Sequence, residues 1–343
     1  DFGKPITIRH FIYHTSGLRE KWDLLAMSGW RDGDVVTLDD VLDRASRQKE
    51  LNFPPGTEHL YNNTGYDLLS LIVHRATGKT LAEFARERIF EPLGMKDTRF
   101  VDDRTLVIPR RATGYSPSPG GGFHVDMPNL TTTGSGSLYT TVRDLALWDE
   151  SFYTGALGGK DLLTLVETPG TLDDGARLTY AFGLSVDTYQ GLRRVEHGGS
   201  LVGYRAQITR FPEKHFTVAV LCNLASARPG ELASRVAEIY LGVPVEIATN
   251  EDEPEPPRAT IAESASYRGI YESPELEVRW TLGGDDTLVL KRWRFPDETL
   301  VPLSADEFRS QLGTIRFQRA ASGEITGFTI SADRTRNLRF EIR

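Results

Sequence analysis

Residues 192–223 read LRRVEHGGSLVGYRAQITRFPEKHFTVAVLCN. Apolar and β-branched residues fall into short runs in this segment, and Pro212-Glu213-Lys214-His215 separates two of the runs as a hairpin turn does. The predicted strands are Arg177–Thr188, Leu192–His197, Tyr204–Phe211 and Phe216–Asn223. Because consecutive strands joined by short turns pair in opposite directions, these residues predict an antiparallel sheet.

Five amphipathic helices are predicted around this sheet. Each has apolar residues at intervals of three and four, and several begin at a threonine that can cap the first turn. The predicted helices are residues 37–45, 64–78, 80–91, 141–152 and 229–240. Helices on both sides of the strands in sequence predict an α+β fold, an antiparallel sheet flanked by helices, over residues 1–248.

A second, smaller domain is predicted beyond this one. Residues 249–258 are acidic and proline-rich without an apolar face, which predicts a linker. Residues 259–343 then alternate short strands with turns, which predicts a small all-β barrel or sandwich. The clearest of these strands are residues 277–282, 287–291, 325–330 and 338–342.

Composition limits the possible functions. At 343 residues the chain exceeds what one hydrophobic core usually serves, in agreement with two domains. A net charge of −8 gives no electrostatic basis for a nucleic-acid partner, and no apolar run approaches the length of a membrane span. The single cysteine, Cys222, is predicted to be a buried structural thiol in the last strand of the sheet.

Two short motifs carry possible chemistry. Tyr61-Asn62-Asn63 lies on a predicted loop before a helix, and His197-Gly198-Gly199-Ser200 lies where a strand ends. Taken alone, the first motif could be a loop with asparagine caps, and the second could be a Gly-Gly turn with an incidental histidine. Acyl transfer offers another interpretation, because it needs a proton relay and backbone donors that can approach an oxyanion closely.

The amino-acid sequence around the two motifs resembles the β-lactamase-related serine hydrolases, a family of class C β-lactamases, D-aminopeptidases, D,D-carboxypeptidases and esterases. The matching segments are ITIRHFIYHTSGL at residues 6–18, FPPGT at 53–57, YNNTGY at 61–66 and EPLGM at 91–95. The resemblance extends from residue 5 to about residue 245. It implies a transpeptidase-like fold and a serine hydrolase that forms an acyl-enzyme on an ester, amide or peptide. The residues beyond 258 resemble the β-barrel modules of D-aminopeptidase-like members.

The resemblance also implies roles for individual residues. Tyr61 would relay protons between nucleophile and leaving group, while Asn63 and His197 would orient the substrate. The backbone at Gly198 and Gly199 would lie against the substrate, and the N–H of Ser200 would help to bind the oxyanion. Where some family members have a K-T-G motif, this chain has His197-Gly198-Gly199. His197 is largely neutral at pH 7 and Gly198 has no hydroxyl, so the charge and hydroxyl that help to bind a β-lactam carboxylate are absent from this motif. A D-amino-acid amide, peptide or ester is therefore favoured over a β-lactam.

The nucleophile is not found among the matching segments. The family places an S-x-x-K motif some tens of residues before the segment at 6–18, so the resemblance predicts that this chain is an N-terminally incomplete hydrolase. One S-x-x-K match, Ser46 to Lys49, lies at the C-terminal end of a predicted helix. The negative end of the helix dipole lies there, whereas an oxyanion is stabilised by the positive end at a helix N-terminus. Ser16 has no lysine three residues later, and its family counterpart is structural.

Other readings remain open at this point. The main alternative is a catalytically inactive penicillin-binding-like relative that binds peptidoglycan fragments or a protein partner. His10 and His14 have the spacing of two metal ligands on one helix face, but a structural role is favoured because no third ligand is apparent. No cofactor or metal is expected for this chemistry. The expected partner is a small-molecule or short-peptide substrate, and the resemblance implies a periplasmic or secreted bacterial protein.

Overall fold

The computed structural model describes residues 2–242 and 264–343. The predicted linker at residues 249–258 lies outside the described residues, and so do the predicted end of the first domain at residue 248 and the predicted start of the second at residue 259. No helix in the described ranges is long and apolar enough to cross a membrane. The two ranges form two structural units, the N-terminal unit and the C-terminal barrel.

The helices of the N-terminal unit are α1 Ile8–Ile12, α2 Lys21–Met27, α3 Leu38–Ser46, α4 Asn63–Thr77, α5 Leu81–Ala85, α6 Glu91–Leu93, α7 Val142–Thr154, α8 Gly159–Val166 and α9 Pro229–Leu241. Among them, α7 and α9 contact the main sheet, and α1 to α5 contact one another. The predicted helices at 37–45, 64–78, 141–152 and 229–240 are confirmed within a few residues. α4 is terminated by Gly78 directly after Thr77, and the positive φ of 73° at Gly78 is the left-handed conformation that glycine adopts readily.

The N-terminal unit has three sheets. Two are short pairs: β1 Arg99–Phe100 with β4 Leu138–Tyr139, and β2 Tyr115–Pro117 with β3 Phe123–Val125. The main sheet is antiparallel and has the order β5 Ser185–Tyr189, β6 Leu192–Leu201, β7 Tyr204–Phe211, β8 Phe216–Cys222. α9 packs on this sheet, where Ala233 and Ala237 meet Phe211 and Val218 in a buried cluster.

Three predictions about this unit are wrong in detail. The strand predicted over Arg177–Thr188 is regular only from Ser185, because the residues before it form isolated bridges. The helix predicted to stop before Pro92 continues through a π-helical turn at Arg86–Phe90 into α6, where the proline occupies the first turn and needs no N–H partner. Cys222 is only partly buried, because it lies at the end of β8, an edge strand in the described part of the sheet.

The C-terminal barrel is a nine-stranded antiparallel sheet that nearly closes on itself. Its strands are β9 Gly269–Ser273, β10 Val278–Gly283, β11 Val289–Lys291, β12 Glu298–Thr299, β13 Val301–Ser304, β14 Glu307–Ser310, β15 Gly313–Arg319, β16 Ile325–Ser331 and β17 Leu338–Ile342. The interior is filled by apolar side chains, including Trp280, Phe328 and Phe340 in mutual ring contact. The predicted all-β unit is therefore present, with five strands more than the clearest sequence runs indicated.

The two units pack closely against each other. Leu24 and Met27 of α2 belong to the same buried cluster as the barrel interior. An ion pair also crosses the boundary, with Arg19 Nη1 2.5 Å from Glu275 Oε2 and side chains that are 0% and 4% exposed. α2 directly follows the segment at residues 6–18, so the barrel is held against the part of the N-terminal unit that carries the first family motif.

Candidate active site

Tyr61 lies immediately before α4, where a set of hydrogen bonds fixes the chain. Asn62 is the N-cap of α4, and its side-chain oxygen accepts the N–H of Gly65 at 2.8 Å. The Asn62 side-chain amide donates to the Leu18 carbonyl at 2.9 Å, and the Asn62 N–H donates to Nδ1 of His14 at 3.0 Å. The backbone on the C-terminal side of Tyr61 is therefore anchored to the segment at residues 6–18.

Asn63 is held by a carboxylate that the sequence analysis did not identify. Its N–H donates to Glu20 Oε2 at 2.7 Å, and its side-chain amide donates to Glu20 Oε1 at 3.0 Å. Glu20 is fully buried, and burial raises the pKa of this carboxyl, while Arg334 and the two donors from Asn63 act in the opposite direction. Glu20 thus fixes the orientation of Asn63 from behind the site.

His197 lies within β6, opposite Ile208 of β7. Its Nε2 is 3.0 Å from the hydroxyl of Tyr180, and its Nδ1 is 2.6 Å from the carbonyl oxygen of Gly198. Burial lowers the pKa of His197 below its ordinary value, so the imidazole is neutral at pH 7. Neutral imidazole carries one N–H, so it can donate on one side and accept on the other.

The structure brings Tyr61 and His197 together. Their ring centroids are 6.1 Å apart, and Tyr180 lies 6.2 Å from Tyr61 and 5.9 Å from His197. His14 packs beneath Tyr61 at 4.2 Å between centroids, and burial lowers the pKa of His14 to about 3. Three neutral aromatic side chains therefore surround Tyr61, which keeps its ring position fixed.

β6 presents a free edge next to these rings. β5 pairs with β6 only as far as Glu196, whereas β7 pairs with β6 up to Leu201. Gly198, Gly199 and Ser200 are exposed, and they are strand residues, so the alternative of a Gly-Gly turn is wrong. Their backbone groups on the β5 side have no strand opposite them in the described residues, and an extended substrate could pair there.

The remaining candidate residues of the sequence analysis lie apart from this arrangement. Ser46 is the last residue of α3, is exposed, and donates to the carbonyl of Asp43 at 3.0 Å. Ser16 is buried, and its hydroxyl accepts the N–H of Leu18. His10 is part of the capping box of α1, and His14 follows the end of that helix with φ of 54°. The two histidines therefore do not share a helix face.

A comparison with protein families identifies the family to which most of the chain belongs. The model for the family described as Beta-lactamase matches residues 1–241, which is 241 of 343 residues. The chain belongs to the β-lactamase family. The matched range ends with α9, so it covers the N-terminal unit and leaves the barrel outside.

Curated relatives of this β-lactamase family chain include D-aminopeptidases. The protein from Brucella ovis is 27% identical over 242 residues, which are 71% of this chain and 46% of the relative. The protein from Cereibacter sphaeroides is 28% identical over 231 residues, 67% of this chain and 45% of the relative. The chain thus spans just under half the length of these relatives.

Solved structures share the fold of the β-lactamase family chain. The octameric penicillin-binding protein homologue from Pyrococcus abyssi has a TM-score of 0.62 at 23% identity, with 99% of this chain and 78% of that chain covered. A D-stereospecific amidohydrolase from Streptomyces has a TM-score of 0.59 at 22% identity, over 70% of this chain and 73% of that chain. The first match includes the barrel, so the two-unit architecture occurs in a solved relative.

Sequence reasoning missed several charged residues of this family site. Lys21 and Asp67 form an ion pair whose side chains are 1% and 0% exposed, and Lys21 also donates to the hydroxyl of Ser135 at 3.0 Å. Arg334 of the barrel places its guanidinium over Tyr61. The run Arg19-Glu20-Lys21 directly after the matching segment at residues 6–18 was a signal for Lys21 and its partner, since buried charges need partners. Nothing near Arg334 in sequence indicated its position.

Proposed function

We propose that the whole protein is a serine hydrolase that cleaves an amide, peptide or ester bond next to a D-amino acid through an acyl-enzyme. The observation that carries the proposal is the placement of Tyr61 beside His197 at the free edge of β6. The Ser and Lys of an S-x-x-K motif would come from a segment upstream of residue 1. The D-aminopeptidase relatives support the choice of substrate class.

Each step of the proposed reaction has a residue suited to it. The substrate would lie along β6 beside Gly198 and Gly199, with its carbonyl oxygen near the N–H of Ser200. Tyr61 would pass the proton of the nucleophilic hydroxyl to the leaving amine, after which water would release the acyl group by the same relay in reverse. Asn63, fixed by Glu20, would orient the substrate amide.

The neutral state of His197 supports the amide or ester over the β-lactam. A penicillin carries a carboxylate that needs a cation or hydroxyl donors, whereas burial keeps His197 uncharged and Gly198 has no hydroxyl. Because the single N–H of neutral His197 donates from Nδ1 to the Gly198 carbonyl, Nε2 accepts from the Tyr180 hydroxyl, and His197 would orient the substrate through the position of its uncharged ring and of the Gly198 backbone. Periplasmic or secreted placement, taken from the family resemblance, is part of the same proposal.

The test is fluorophosphonate labelling of the whole protein, followed by intact mass and peptide mapping. We expect one adduct on a serine upstream of residue 1, and we expect Tyr61→Phe to slow acylation at least ~100-fold, the usual size of a general acid–base contribution. Tyr240→Phe is the matched control, because Tyr240 is 75% exposed on α9. If the protein binds D-amino-acid peptides but never forms an adduct, the inactive binding relative is the correct description.

A further inference from the structure

The C-terminal barrel reaches the candidate active site through one hairpin. Residues 332–337 join β16 to β17, and the guanidinium carbon of Arg334 lies 5.6 Å from the ring centroid of Tyr61. Arg334 Nη1 is also 3.8 Å from Oε2 of the buried Glu20. The side chain of Arg334 is 25% exposed, so it lines the site instead of pointing into bulk solvent. The Asp333 carboxylate of the same hairpin is 3.4 Å from Arg334 Nε but is 87% exposed, so the guanidinium is the charge that the barrel places beside the proposed proton relay.

Contacts on both sides of Arg334 hold the hairpin in place. The side-chain amide of Asn52 donates to the Arg334 carbonyl at 3.0 Å, and its oxygen accepts the N–H of Arg336 at 2.7 Å. The N–H of Arg334 donates to Oδ2 of Asp23 at 3.2 Å. Thr335 between them is fully buried. Together these contacts make the position of the guanidinium a built feature of the boundary.

Without Arg334, the charges that act on Tyr61 would all be negative. Burial, the carboxylate of Glu20 and, more weakly, the carboxylate of Asp67 all raise the pKa of Tyr61. Arg334 is the one charge among the described residues that lowers it. Lys21, the other nearby cation, is already paired with Asp67 inside the protein. A relay tyrosine with only anions around it would hold its proton too firmly to pass it on.

The aromatic neighbours of Tyr61 add no compensating charge at neutral pH. Burial lowers the pKa of His14 to about 3, and burial also lowers the pKa of His197, so both imidazoles are neutral. Burial raises the pKa of Tyr180, so its hydroxyl keeps its proton. These three side chains pack against Tyr61 from the end of α1, from β6 and from the segment before β5 without contributing a cation.

We propose that Arg334 is a positioning residue for the proton relay: the guanidinium supplied by the barrel offsets Glu20 and favours the phenolate form of Tyr61. The barrel is therefore part of the active site and not a separate binding module. This inference rests on the proposed function for the role of Tyr61, but the electrostatic effect itself can be measured without turnover.

The experiment places 3,5-difluorotyrosine at position 61 of the full chain and follows its single ¹⁹F signal as pH is raised. The fluorines make the phenol more acidic, so it titrates before the protein unfolds in alkali. We expect Arg334→Met to move the titration midpoint to higher pH and Arg334→Lys to keep it near that of the unchanged protein, because lysine retains the charge. Glu20→Gln should move the midpoint to lower pH, since it removes an anion.

Arg336→Met is the matched control. Arg336 lies in the same hairpin and forms an ion pair at 2.8 Å with Glu58, with side chains that are 40% and 46% exposed. We expect the Arg336 variant to leave the midpoint unchanged. A midpoint that also stays unchanged in folded Arg334→Met would overturn the proposal. If that variant instead raises KM for anionic substrates alone, Arg334 contacts substrate and is not a positioning residue for Tyr61.

A second readout separates this inference from the proposed function. In the active whole protein we expect Arg334→Met to lower kcat/KM at neutral pH roughly tenfold, the order expected on losing one charge within about 6 Å of the reacting group. The loss should shrink as pH rises, because the phenolate then forms without help. If the ¹⁹F midpoint shifts but no acyl-enzyme forms, the electrostatic role of Arg334 stands and the proposed hydrolase is refuted. If an acyl-enzyme forms but the midpoint does not shift, the hydrolase stands and the role of Arg334 is refuted.

Discussion

The ion pair between Arg19 and Glu275 should be one of the strongest single links between the two units. Its atoms are 2.5 Å apart, and its side chains are 0% and 4% exposed. Arg19 also donates to the carbonyls of Glu50 at 2.8 Å and Arg336 at 3.2 Å. Glu275→Ala would leave a guanidinium buried with neutral acceptors only, and removal of one partner of such a pair costs about 3–5 kcal/mol.

We expect Glu275→Ala to lower the free energy of unfolding by about 3 kcal/mol, the lower end of that range, because the two carbonyls still accept from Arg19. The assay is urea unfolding followed by tryptophan fluorescence. Replacing both partners, Arg19→Met with Glu275→Ala, removes both charges, so the double variant should lose less unfolding free energy than the sum of the two single losses, by roughly 2 kcal/mol or more.

The control is the Arg339–Glu50 ion pair, which also joins the two units at 2.7 Å but is 51% and 45% exposed. Arg339→Met should cost less than about 1 kcal/mol, as exposed pairs do. The reasoning is that burial makes this ion pair contribute more to the free energy of unfolding than an exposed pair does. A loss below about 1 kcal/mol in Glu275→Ala, or single losses that simply add in the double variant, would refute it.

Three further predictions concern stability. Burial lowers the pKa of His14 from its ordinary 6.5 to about 3, so as pH falls the unfolded chain binds a proton on this side chain before the folded chain does. The free energy of unfolding should therefore fall by about 2.5 kcal/mol between about pH 7 and about pH 4.5 in urea titrations. His14→Asn should remove this part of the pH dependence. Gly134→Ala should lower the melting temperature clearly, since φ is +112° and the new Cβ would lie 2.3 Å from a backbone oxygen of α4, whereas Gly136→Ala meets nothing closer than 4.0 Å and should be nearly neutral. Leu24→Ala should cost about 3 kcal/mol in the shared core, against less than about 0.5 kcal/mol for Leu232→Ala, whose side chain is 48% exposed; equal effects would contradict the shared core.

Local signals were enough for much of the N-terminal unit. The period of apolar residues and the terminal Gly78 predicted α4, and the turn at Pro212 predicted the β7–β8 hairpin. These features depend on residues close in sequence. The strand that contains His197 was longer than predicted, because Gly198 and Gly199 weaken a strand pattern even though pairing with β7 keeps them extended.

The charged part of the site could not be predicted in the same way. Glu20 acts on Asn63 across 43 residues, and Arg334 approaches Tyr61 from a hairpin in the other unit, far away in sequence. Such pairs leave no periodic pattern, because they arise only when the units pack. The short barrel strands β12 and β13 were missed for a related reason, since barrel pairing defines them more than their own residues do.

Leu24 and Met27 lie inside the barrel core although they belong to the helix that follows the first family motif. Gene fusion usually joins modules whose interiors are already complete, so that either can be lost or exchanged. Here the interior of one module is completed by the other. A recombination event that exchanged the barrel would need matching changes in α2, and the two parts are therefore expected to have diverged as a pair. A library that shuffles barrels among relatives should yield folded chimeras mainly when α2 is inherited from the same parent.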